Sequence, residues 1–109
     1  MGGREDRIAR NETEARLVNE RIEDEHGDSS PARLVRMVCE CGRPTCEELV
    51  SITLSEYEAV RADPRTFLLA RGHVTPDIER IESEKDRFVV VRKREGTPAA
   101  VAVEEDPRD

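Results

Sequence analysis

Cys39-Glu40-Cys41-Gly42-Arg43-Pro44-Thr45-Cys46 puts three thiols into eight residues, and no other feature constrains the fold as strongly. Soft thiolates at this density match a tetrahedral metal site, with sulfur ligands at about 2.3 Å and nitrogen at about 2.0 to 2.1 Å from the ion. Gly42 and Pro44 supply the turns that would bring the sulfurs around one centre. The odd number of clustered cysteines favours metal binding over a disulfide framework. The chain also needs a staple. Its aromatic residues are Tyr57, Phe67 and Phe88, with no Trp, and its apolar residues gather between about Leu34 and Val91. Folded units of roughly 60 residues gain only a few kcal/mol from packing, so a metal that binds only the folded form supplies what a small core lacks.

Three thiolates leave one coordination position, for which His73, His26, Glu47 and open solvent are the candidates. His73 ranks first because it follows Gly72 at the end of an apolar stretch, where the chain can turn toward a neighbouring loop. His26 precedes Gly27 at a helix end, where an imidazolium favours the negative end of the helix dipole. The expected site is therefore Cys39, Cys41, Cys46 and His73 around zinc. An open fourth position would mean a catalytic metal. No acid or base stands apart from the many carboxylates, so an enzyme is not expected. The competing chemistry is a thiol-based redox or metal sensor, in which Arg43 would lower the pKa of a neighbouring cysteine. Cys-x-Cys, however, lacks the Cys-x-x-Cys spacing of thioredoxin-like centres.

Periodicity and punctuation predict an α+β domain with a small, mostly antiparallel sheet and short helices. From about Arg4 to Glu25 there is no Gly or Pro, and charged helix formers dominate. Ile8, Ala15, Val18 and Ile22 form a thin heptad stripe on that helix, and Gly27 to Pro31 reads as a linker. Residues 1–30 are thus expected to be a charged helix and linker, able to bind a protein partner or a second copy of the chain. Residues 31–95 hold the zinc domain. Leu34–Val38 and Leu49–Leu54 are predicted strands flanking the cysteines, followed by a short helix capped by Ser55 with Glu58. Thr66–Ala70 is a third strand. Thr75-Pro76-Asp77 starts one turn that leads into a strand, and Phe88–Val91 is a last strand paired with it across a turn near Glu84 to Asp86. Residues 96–109 read as a flexible acidic tail, with Val101 and Val103 able to add a weak edge strand.

The net charge of −7 argues against a duplex-binding surface, because phosphate contacts need concentrated Lys and Arg. Arg92-Lys93-Arg94 is a local exception and reads as a solvated strand edge. No stretch approaches the roughly 20 apolar residues that span a bilayer, and the N-terminal residues lack the apolar segment of a secretion signal. The expected address is the cytoplasm.

The string Cys39 to Cys46 resembles the post-SET knuckle of histone methyltransferases, which also reads Cys-x-Cys-Gly-x-x-x-Cys and takes its fourth ligand from elsewhere. That resemblance covers eight residues and implies neither methyltransferase activity nor its cofactor. A broader likeness rests on Arg10 to Ile22, Cys39 to Cys46, Leu54 to Tyr57, Gly72-His73 and Phe88 to Val91. These segments resemble small bacterial proteins with an Arg-Asn-Glu…Val-Asn-Glu-Arg-Ile helix and a Cys-x-Cys-Gly-x-Pro-x-Cys knuckle. This second resemblance implies one folded unit across most of the chain and no particular activity.

Overall fold

The computed structural model describes residues 3–108. Its elements run α1 (Gly3–Glu25), β1 (Leu34–Val38), β2 (Leu49–Thr53), α2 (Leu54–Arg61), β3 (Thr66–Leu69), β4 (Glu79–Glu84), β5 (Val89–Lys93) and α3 (Thr97–Glu104). The class is α+β and every strand pairing is antiparallel, but the strands divide into two sheets, β1-β2 and β3-β5-β4. Period-two alternation explains the first sheet. Val35 and Met37 on β1, with Val50 and Ile52 on β2, turn inward, while Leu34 and Leu49 stay exposed. β3 is buried at all four positions, and its Phe67, Leu68 and Leu69 join Tyr57, Phe88, Val89 and Val91 in one core that both sheets share.

α2 begins earlier than the sequence implied. Thr53, the last residue of β2, accepts a hydrogen bond from the Glu56 backbone at 3.0 Å, and Glu56 returns one from the Thr53 backbone at 2.9 Å. The reciprocal cap is therefore Thr53 with Glu56, not Ser55 with Glu58, because this phase turns Leu54, Tyr57 and Val60 into the core.

Three further expectations are corrected. Although Ile22 packs half-buried against the core, Ile8, Ala15, Val18 and Ile22 do not by themselves form the docking face of α1. Its buried residues are polar, Glu12, Arg16 and Asn19, whereas Val18 remains 42% exposed beside Leu17. Polar groups can occupy such a face only when they are hydrogen-bonded. Arg16 lies over the Phe67 ring at 3.6 Å and donates to the carbonyls of Pro64, Thr66 and Ala102. α1 is thus packed on the core. Residues 97–104, expected as tail or edge strand, are helical. Pro98 sits in the first turn, Ala102 is buried, and beyond the helix Arg108 pairs with Glu20, Glu23 and Glu58. Finally, β5 is the central strand of its sheet, so Lys93 is no solvated edge. It is buried between Glu12 and Glu79, while Arg92 pairs with Asp63 and Glu82. Among the described residues no helix is long and apolar enough to cross a membrane.

Candidate metal centre

The cysteine segment leaves β1 directly. Cys39 donates its backbone N–H to Glu48 at 3.1 Å, continuing the β1-β2 pairing, and Glu40 donates to Leu68 of β3 at 2.7 Å. The segment therefore bridges the two sheets. Cys46 lies on the return path, its N–H bonded to the Arg43 carbonyl at 3.1 Å. His73 arrives from the turn after β3. Its N–H reaches Ala70 at 3.2 Å, and Gly72 at φ +85° supplies the left-handed residue that this turn requires.

These elements bring Cys39, Cys41, Cys46 and His73 together, with one ligand atom from each lying within 4.8 Å of all the others. His73 Nδ1 is 3.6 Å from Cys39 Sγ and 3.5 Å from Cys46 Sγ. Bond lengths of about 2.3 Å to sulfur and about 2.0 to 2.1 Å to nitrogen at the tetrahedral angle separate the two atoms by about 3.5 to 3.6 Å. These two S···N separations thus match the spacing that a four-coordinate ion imposes. His26 stands elsewhere, with Nδ1 2.9 Å from the Ile22 carbonyl at the end of α1, as its capping role requires. Glu47 is exposed and shares with Arg43, Thr45, Cys46 and His73 a shallow cavity of about 390 Å³ beside the site.

The three thiols stand in unequal electrostatic surroundings. A hydrogen bond from the Cys39 thiol pulls the Cys41 thiol down to about 4 against the cost of burial, helped by the Arg43 backbone N–H. The same bond, with burial, pushes Cys39 up, and burial pushes Cys46 up. One thiolate is accommodated without help, and ionising the other two needs positive charge at the centre. Backbone donors are already aimed at the sulfurs, including Ala70 N–H, 3.1 Å from Cys39 Sγ.

Sequence reasoning missed the residues that hold this segment from behind. Glu40 is fully buried and accepts hydrogen bonds from Asn19 Nδ2 and Tyr57 Oη, both at 2.8 Å, and from Leu68 N–H at 3.0 Å. Asn19 also bonds both backbone groups of Val38, at 2.8 and 2.9 Å, and Asn11 donates to the Gly42 carbonyl at 3.0 Å. Gly42, at φ +77°, lies so close to α1 that a Cβ there would come within 2.7 Å of the Ile8 carbonyl oxygen. No sequence signal marks Glu40, since a carboxylate between two cysteines has the same residue pattern whether buried or exposed.

A second cavity of about 580 Å³ separates α1 from α3, with Ile8, Ile78 and Val101 on its walls and Glu12, Arg16 and Lys93 at its polar end. No family model, curated protein or solved structure matches this chain, so its function is argued from the site itself.

Proposed function

We propose that this chain is a zinc-stapled, non-enzymatic adaptor that binds a protein partner, with zinc held by Cys39, Cys41, Cys46 and His73. The observation that carries this reading is the pair of S···N separations, 3.5 and 3.6 Å, in a cluster of three thiols and one imidazole. Soft sulfur with nitrogen in a tetrahedron suits zinc, and four protein ligands leave no position for substrate, which is the arrangement of a structural site. The spacing shared with the post-SET knuckle supports Cys39, Cys41 and Cys46 as three of the four ligands. Three clustered cysteines, odd in number, support a cytoplasmic address, where thiols stay reduced. For the partner, the outward side of α1 offers Leu17 and Val18, 44% and 42% exposed, as contacts for a second copy or another protein.

Metal analysis on freshly purified full-length protein, with a thiol titration alongside, tests the reading. The expected result is one zinc per chain and thiols that react only after a chelator is added. Stoichiometric purification without metal, with all three thiols freely reactive, would remove it. A sensor role is the second reading, favoured by Cys46, which is half-buried at the wall of the shallow cavity. Reversible oxidation of the zinc-loaded protein by mild peroxide, with zinc released in step, would select it.

A further inference from the structure

Residues 38–42 join the metal centre to α1 in an alternating pattern. Val38, Glu40 and Gly42 are bonded to Asn19, Asn19 and Asn11 of α1, and the intervening Cys39 and Cys41 supply sulfur to the site. Among the described residues none of α1 belongs to the ligand cluster. We infer that zinc occupancy and the docking of α1 are one coupled equilibrium: the ion fixes the ribbon of residues 38–42 in the only shape that α1 can grip. This rests on the zinc reading above and adds a regulatory consequence to it.

The physical basis is the kind of contact that α1 makes. Its grip on the ribbon consists of amide hydrogen bonds to fixed backbone atoms and a glycine too close to the helix to carry a side chain. Such contacts depend steeply on distance and angle, unlike apolar burial, which tolerates drift. Without an ion nothing ties Cys39, Cys41 and Cys46 to one centre, so residues 38–42 are less restrained and the amides lose their fixed partners. Ile8 and Glu12, which meet Gly42, also line the cavity of about 580 Å³ between α1 and α3. Metal state is thereby transmitted to the cavity that the same helix residues line. By linkage, loosening α1 must weaken zinc binding by the same factor.

Hydrogen exchange on the full chain, with zinc and after chelation, tests the first half. Removing zinc should speed exchange at residues 8–22 by at least about 100-fold while β3 and β5 keep their protection. Competition with a chromogenic chelator tests the reciprocal half. Asn11→Ala and Asn19→Ala should each weaken zinc binding about tenfold or more without touching a ligand, whereas Val91→Ala, a core substitution away from the ribbon, should leave it within about twofold. Zinc that binds normally while α1 is equally protected in both states would overturn the coupling and spare the zinc reading. Val91→Ala weakening zinc as much as Asn19→Ala would also overturn it, because the effect would then be general stability. A chain that binds no zinc sinks both.

Discussion

His73 and His26 are the two imidazoles of the chain, and their surroundings set them different tasks. His73 Nδ1 faces two sulfurs, whereas His26 Nδ1 meets a helix carbonyl. His73→Ala should raise the dissociation constant for zinc at least about 100-fold, and His26→Ala should leave it within about threefold, when both are measured against the same chelator. The reverse order would reassign the fourth ligand. Glu40 carries the complementary prediction. Glu40→Ala strands Asn19, the Tyr57 hydroxyl and the Leu68 amide in the core, so urea denaturation of the zinc-loaded form should show a loss of about 2 to 4 kcal/mol. The cysteines and His73 were legible in the sequence because ligand chemistry restricts residue type and spacing. Glu40 was not, because a carboxylate between two cysteines looks the same whether it faces water or three donors.

At the scale of elements, legibility followed the source of the stabilisation. β1, β2 and β3 were readable from apolar alternation or from an unbroken apolar run, since water exclusion is written directly into residue type. α1 was readable as a helix but not in its orientation. Its inward face is Glu12, Arg16 and Asn19, and only their partners on distant strands turn them from solvent to core. α3 was lost for a different reason. Thr97-Pro98 carries the same helix-start signal as Thr75-Pro76, but the acidic residues around it imitated a tail. Lys93 tests the polar clamp between α1 and the second sheet. Lys93→Met leaves Glu12 and Glu79 buried without their ammonium, and the melting curve should report a loss of about 3 to 5 kcal/mol. Adding Glu79→Gln to that variant should recover part of it, since a buried carboxylate left without its ammonium is then gone. No recovery would mean that Lys93 acts mainly through its ammonium over the Phe67 ring, 4.9 Å from the centroid.

The whole molecule should respond to pH through two opposed terms. Burial, outweighing the Lys93 ammonium, pushes the Glu12 carboxyl up from 4.5 to about 7. The folded form then holds that proton more tightly than the unfolded chain, so this group's contribution is complete below about pH 4.5 and is lost as pH rises through about 7. Zinc bound as proposed above would pull the other way, because its ligands must be deprotonated and acid would release it. With zinc kept saturating, stability measured by urea between pH 6 and 8 should fall for the native chain and stay flatter for Glu12→Gln; parallel curves would remove Glu12 as the cause. The two asparagines that seat α1 have one more consequence. Asn11 and Asn19 are eight positions apart, about 12 Å along the helix axis, and each is matched to particular backbone atoms. A greasy stripe can slip by one turn along its neighbour and keep most of its contact area, whereas two amides at a set spacing fit a single seating. Their contribution is uniqueness as much as strength. Asn19→Leu should accordingly preserve helix content while allowing α1 to sample several seatings, seen as split or broadened amide resonances along the helix; one sharp set would show that apolar contact alone fixes its place.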